Sequence, residues 1–360
     1  MSEIFGILNL GNTCYINVNI QLILNCTELN ELLLEKFNTV KPNELLYSYL
    51  CILKRLNEIK NEQIIEIDNL ENKNDKICIR KLRLTSFIEK FRRIFSQVSF
   101  NQQDCLEGLT FILDNFHNSL IIKKEDDYSL IMNNVRYNND IMNTCIHQFK
   151  NDISKDHTLL FNLFYSYVSN SIKCNDCQHT IYKIEKYKEI SLDIDNDNKD
   201  NNNLDKLFGK YFQPDILVGY KCDKCKKTNC NKTIELLNTP RYLIIQLKRF
   251  IFHQEKMQFN KLTTPIEYPL YLDLDDYLIK NNINQNINEK NVFNLSTVIN
   301  HLGNGFNGGH YTSFHKIQEK WFHADDETIV EVDKEIIFTN KHKQDAYILI
   351  YEKQNFNELL

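Results

Sequence analysis

Glycine and proline are scarce in this chain of 360 residues, with 9 and 5 copies. No apolar run approaches the roughly 18 residues that a membrane helix requires, so no membrane contact is expected. There is no basic excess either: 43 Lys and Arg face 48 Asp and Glu, a formal charge of −5. The clustered positive footprint of a nucleic-acid binder is therefore missing. Met1–Leu10 has no basic segment followed by an apolar stretch, which argues against a secretory signal and for a cytoplasmic or nuclear protein. Disorder of the whole chain is excluded too, because 42% apolar and 25% charged residues are ordinary globular proportions.

What is abundant is asparagine, 47 copies, and cysteine, eleven. The asparagine is densest in Asp195–Asn203 and Lys280–Asn291, two low-complexity runs that read as exposed loop insertions. Lys123–Asp127 reads as a solvated connection. An odd cysteine count without a signal argues against a disulfide framework. In a reducing compartment each cysteine packs as a small hydrophobe, binds metal or attacks a substrate.

Residues 1–130 carry helical periodicity. Ile16, Ile20, Ile23 and Leu24 share one helix face beginning near Cys14, and Leu45–Leu56 and Leu106–Leu120 repeat the pattern. After about residue 160 the runs become short and β-like: Leu163–Val168, Ile181–Ile184, Ile216–Tyr220, Tyr242–Leu247, Ser296–Ile299 and Ala346–Tyr351. The expected class is α+β, a helical first part followed by a mostly antiparallel β part, with no internal repeat.

Cys174-Asn-Asp-Cys177 and Cys222-Asp-Lys-Cys225 are two CxxC knuckles with 44 residues between them. Each turns two thiolates toward one point, and together they complete a tetrahedral S₄ site for one structural Zn²⁺. A metal-free relic and a redox pair are the alternatives. Cys230 and His179 break the knuckle pattern and read as bystanders. A closed four-thiolate site offers no open position to a substrate, so this metal staples and does not catalyse.

Cys14 follows GILNLGNT, whose two Gly and two Asn let the chain turn tightly into a helix. At a helix N-terminus the unpaired N–H groups and the macrodipole favour a thiolate. The Cys14 N–H and an amide side chain of the preceding loop are candidate donors to an oxyanion. Taken alone, Cys14 reads better as a buried structural thiol than as a nucleophile. Its partner is His310, directly after the glycine-rich turn Gly303–Gly309, placed as general base and then general acid. Fifteen residues on, the Asp325-Asp326 pair offers a carboxylate to accept the Nδ1–H of His310. His301 competes as the base but precedes the turn.

These segments, GILNLGNTCYINVNIQLIL, NQQDCLEGLTFILDNFHNSL, the two CxxC pairs, YLIIQLKRF and NHLG…GGHYTSF…WFHADDETIV, resemble in order the signature boxes of the ubiquitin-specific proteases. That family comprises papain-like cysteine deubiquitinases with a thumb, palm and fingers. The resemblance runs from about Gly6 to about Tyr351. It implies a single catalytic domain: a helical thumb over about 1–130, zinc-ribbon fingers over about 160–240 and a β-rich palm over about 240–355. By position it implies Cys14 as nucleophile, His310 as base, Asp325 as third triad member, Asp326 as a neighbouring polar position and Asn9 as oxyanion donor. Cys174, Cys177, Cys222 and Cys225 match the zinc knuckles, and Phe252–Lys261 and Gly303–Gly309 match loops flanking the ubiquitin-tail channel. The implied activity is thiol-dependent hydrolysis of isopeptide or peptide bonds at the C-terminal glycine of ubiquitin. The implied protein is a monomer without a catalytic cofactor, with ubiquitin and ubiquitinated proteins as partners. The alternatives are an inactive ubiquitin-binding scaffold and a protease for a ubiquitin-like modifier. Val18, Gly108 and Ala324 depart from the family pattern, Gly108 where a packing ring is expected and at a helix cost of about 1 kcal/mol.

Overall fold

The structure, a computed structural model, describes residues 4–61, 81–95, 103–121, 139–154, 156–195, 202–254, 257–279, 291–305 and 308–354. The interiors of both asparagine-rich runs and the Lys123–Asp127 connection lie outside the described residues, as do Asn101, Gln102 and Cys78.

In chain order the elements are β1 (Gly6–Ile7), α1 (Cys14–Asn25), α2 (Thr27–Glu35), α3 (Leu45–Asn61), β2 (Lys81–Leu82), α4 (Thr85–Ile94) and α5 (Cys105–Ile121). Then come α6 (Asp140–Ile153), α7 (Leu159–Phe164), β3 (Ser166–Cys174), β4 (Thr180–Tyr187), β5 (Glu189–Asp193), α8 (Leu204–Phe212), β6 (Asp215–Ile216), β7 (Cys230–Asn238) and β8 (Tyr242–Lys248). The remainder is β9 (Phe250–His253), β10 (Gln258–Lys261), β11 (Tyr271–Asp273), β12 (Val292–Gly305), β13 (Gly308–Ile317), β14 (Lys320–Asp325), β15 (Thr328–Val332), α9 (Lys334–Ile337), α10 (Asn340–Asp345) and β16 (Ala346–Lys353).

Two compact units result. The first takes Met1–Lys123, Phe250–Lys261 and Ser296–Tyr347; the second takes Lys124–Arg249, Leu262–Leu295 and Ile348–Leu360. In the first unit α1 is buried from Cys14 to Leu24, on its polar as well as its apolar positions. A helix buried all round must satisfy its polar side chains internally. Asn19 therefore donates to the Cys105 carbonyl at 2.7 Å, Gln21 to the Phe5 carbonyl, and Asn17 to the Ile7 carbonyl at 3.3 Å. Beside it stands an antiparallel meander: β12 pairs β13, β13 pairs β14 and β14 pairs β15.

In the second unit β4, β3, β7 and β6 form a four-stranded antiparallel sheet, while β8 pairs β16 antiparallel and β5 parallel. Two strand expectations shift here. Helix α7 takes Leu163 and Phe164, both buried, so the strand starts at Ser166. The Ile216–Tyr220 strand ends after Ile216, because Gly219 in the left-handed region (φ +81°) turns the chain toward Cys222.

Candidate active site and four-cysteine cluster

The turn ahead of α1 is built on Asn9. Its Oδ1 accepts the Gly11 N–H at 2.9 Å and the Thr13 N–H at 3.3 Å, a side-chain mimic of a backbone turn. Gly11, at φ +86°, supplies the left-handed residue that this turn requires. Thr13 Oγ1 accepts the Leu10 N–H at 3.0 Å, and Arg92 donates to the Gly11 carbonyl. The result sets Cys14 as the first residue of α1, where helix N–H groups lack intrahelical acceptors.

His310 is the third residue of β13, and α1 packs against that strand. Cys14 and His310 are hydrogen-bonded. The other ring contact is His310 Nε2 to Asp325 Oδ1, at 2.6 Å. Sequence reasoning put the carboxylate at Nδ1; the structure puts it at Nε2. Asp325 is the last residue of β14, the strand that pairs with β13. The pKa of His310 is raised to about 9, chiefly by the Cys14 hydrogen bond, with burial opposing and the Asp325 hydrogen bond adding.

Asp326 occupies the tight β14–β15 turn with φ +46°, a conformation aspartate tolerates. Asn9 Nδ2 and Asn17 Nδ2 donate to its two carboxylate oxygens, each at 2.7 Å. β1 lies directly on the same turn: the Ile7 N–H donates to the Asp326 carbonyl at 2.8 Å. A Cβ on Gly6 would come within 2.2 Å of the Glu327 carbonyl oxygen, so only glycine allows the approach. Asn17 escaped the sequence reading. The signal was there, an amide embedded in the apolar stripe of α1, but a polar residue in such a stripe carries no partner's name.

The competing histidine, His301, is 1% exposed. Burial, with Lys261 adding, drops its pKa to about 4, so it stays neutral. Its role is steric. A Cβ at Gly309 would meet His301 Nε2 and the Leu302 carbonyl at 2.5 Å, so His301 forms the floor under the residue before His310. Lys261 Nζ donates to the His301 carbonyl and pairs with Asp345 at 2.8 Å, tying the β9–β10 hairpin to the same place.

The three departures from the family pattern are all buried. Gly108 is a close approach and leaves no gap: its Cβ position lies 3.1 Å from Asn19 Nδ2 and 3.2 Å from the Tyr15 ring. Tyr15 fills the space where a ring on α5 was expected. Val18 is 3% exposed and Ala324 2%, and Ala324 pairs with Ser313 across the strands.

In the second unit the knuckles converge. The sulfur atoms of Cys174, Cys177, Cys222 and Cys225 lie within 4.8 Å of one another, with Cys174–Cys225 at 3.5 Å and Cys177–Cys222 at 3.7 Å. Tetrahedral Zn²⁺ with Zn–S near 2.3 Å requires sulfur separations of about 3.8 Å, so the donor set fits the metal. The backbone also favours thiolates. The Cys177 N–H, ahead of the Asp176 N–H, lowers the pKa of Cys174 to about 6, and the Cys225 N–H does the same in direction for Cys222. Cys230 sits opposite Cys174 across β3 and β7 but outside the four-sulfur set. None of the described cysteines is in a disulfide.

Comparison with known proteins identifies the family of the chain. The family model described as ubiquitin carboxyl-terminal hydrolase matches residues 5–351. Ubiquitin carboxyl-terminal hydrolase 4 of Arabidopsis thaliana is 24% identical over 97% of this chain and 93% of its own length. Ubiquitin carboxyl-terminal hydrolase 12 of Salmo salar is 23% identical over 98% and 90%. Among solved structures, the SAGA Ubp8/Sgf11/Sus1/Sgf73 deubiquitinating module bound to ubiquitin aldehyde matches with a TM-score of 0.71 at 21% identity, covering 97% of this chain and 69% of that one. Nearly the whole chain matches one family model and two near-full-length relatives, and the protein therefore belongs to the ubiquitin carboxyl-terminal hydrolases, a family of cysteine-type deubiquitinating enzymes.

Proposed function

We propose that Cys14, His310 and Asp325 form the catalytic triad that cleaves the bond between the C-terminal glycine of ubiquitin and an amine. The observation that carries this is the hydrogen-bonded series Cys14–His310–Asp325, with the sulfur at the start of a helix. The thiolate attacks the glycine carbonyl carbon, and the electron pair of the C=O bond moves to oxygen. The Cys14 N–H and the remaining Nδ2–H of Asn9 face the charge that develops there. Asp326 contributes by fixing Asn9 and Asn17.

As the tetrahedral intermediate collapses, His310 gives its proton to the leaving amine and an acyl-enzyme thioester remains. His310 then takes a proton from water as it attacks the thioester, which frees the ubiquitin carboxylate and restores Cys14. Asp325 stabilises the imidazolium throughout.

One Zn²⁺ held by Cys174, Cys177, Cys222 and Cys225 would act as a structural staple, taking no part in the chemistry. The helical segment 1–130 is read as the thumb, 160–240 as the fingers and 240–355 as the palm. Ubiquitin as the substrate is supported by the related modules, which bind monoubiquitin and ubiquitin aldehyde.

The test is a ubiquitin probe with a C-terminal electrophile, alongside a panel of differently linked di-ubiquitins. Wild type should form a covalent adduct and cleave di-ubiquitin, while Cys14→Ala does neither. An adduct persisting in Cys14→Ala would overturn the assignment.

A further inference from the structure

Away from Cys14, the first unit holds a cavity of about 500 Å³ between α3, β2 and α4. That volume lies in the range of small-molecule sites, roughly 300–1,000 Å³. Among the described residues its interior is apolar, with Ile52, Leu56, Leu82 and Phe87 among its walls, and no described Asp or Glu lines it. Three cations do: Arg55, Arg83 and Lys90. Arg55 is paired with Glu58 at 3.2 Å. Arg83 and Lys90 have no carboxylate partner among the described residues. Arg83 Nε donates to Thr85 Oγ1 at 3.3 Å, and Lys90 Nζ to the Pro42 and Glu44 carbonyls.

Two further features point to an anion. Leu84, Thr85, Ser86 and Phe87, the start of α4, line the cavity, and that helix has no side-chain N-cap bond. Uncapped N–H groups and the macrodipole attract negative charge. Ser48, only 7% exposed, also lines the cavity, and its hydroxyl has no hydrogen-bond partner among the described residues.

We propose that this cavity binds an anionic amphiphile of small-molecule size. The carboxylate or similar head would lie at the start of α4 against Arg83, Lys90 and Ser48, and the apolar body along Ile52, Leu56 and Leu82. Both parts are needed: an inorganic anion leaves the apolar walls uncovered, and a neutral hydrocarbon brings no charge to meet Arg83 and Lys90, whose present partners are a hydroxyl and carbonyls.

Cys51, exposed and lining the same cavity, provides the reporter. The intact protein is titrated with laurate, and in parallel with dodecanol, while alkylation of Cys51 by iodoacetamide is followed by peptide mass spectrometry. Laurate should slow alkylation saturably below its micelle concentration, and dodecanol should be about tenfold weaker, as expected for loss of charge-assisted hydrogen bonds. Arg83→Gln combined with Lys90→Gln should shift the laurate midpoint about tenfold upward. Unchanged labelling of Cys14 by the ubiquitin probe shows that the variant is folded. Equal protection by dodecanol, an unmoved midpoint in the double variant, or no saturable protection at all overturns the proposal, and none of these results bears on the peptidase assignment.

Discussion

The imidazole of His310 sits between a sulfur and a carboxylate, and its protonation range follows from both. Because its pKa is raised to about 9, the proton it gives to the leaving amine is held through neutral pH and lost as pH climbs past 9. Cleavage of an isopeptide-linked di-ubiquitin should therefore show an alkaline limb near pH 9 in kcat/KM. Asp325→Asn should move that limb to lower pH and cut the rate by at least about 10²-fold. A limb that stays in place in Asp325→Asn would mean another group sets it. Asn9 has two tasks, one per end of its amide. The oxygen holds the turn ahead of Cys14, and Nδ2 divides its two hydrogens between Asp326 and the proposed oxyanion. Asn9→Ala is expected to lower kcat by about 10²–10³-fold with little change in KM, measured on ubiquitin with a fluorogenic leaving group. A variant changing only KM would place Asn9 in binding.

The elements show which parts of this could be read from sequence. The α1, α3 and α5 stripes were legible because helical periodicity survives in the residues themselves. The knuckles and the His310 strand were legible because their chemistry is compressed into short spacings. What escaped depends on neighbours far away in the chain. Asn17 gains meaning only when Asp326 arrives, and Gly108 turns from a defect into a close approach only when Tyr15 lies across it. For the ribbon, the S₄ geometry leads to a definite expectation. Protein purified without chelator should carry about one Zn²⁺ per chain. Cys222→Ser should lose it and lower the thermal midpoint by about 5 °C or more. Equal zinc content and equal melting of the two proteins would count against a metal staple.

Over the whole molecule, no described helix is long and apolar enough to cross a membrane. Its stability should be sensitive to acid. His301 and His315 are 1% and 0% exposed, and burial lowers their pKa values to about 4 and about 3. Unfolded histidine takes up its proton near 6.5, whereas these two refuse it, so their stabilisation is present above pH 6.5 and is lost as pH falls toward 4. Each contributes a slope of about 1.4 kcal/mol per pH unit. Urea unfolding should weaken by roughly 3–4 kcal/mol between pH 6.5 and pH 5. A constant midpoint over that range would show that the two rings protonate in place.

The distance along the chain between Cys14 and His310 is 296 residues. During synthesis the nucleophile leaves the ribosome long before its base exists, by roughly 15–60 s at 5–20 residues per second. Throughout that time the β14–β15 turn, on which β1 rests and which holds Asn9 and Asn17, has not been made. A nascent chain thus carries the thiol without the means to use it, and competence for cleavage arrives only when the last third of the polypeptide folds back onto the first.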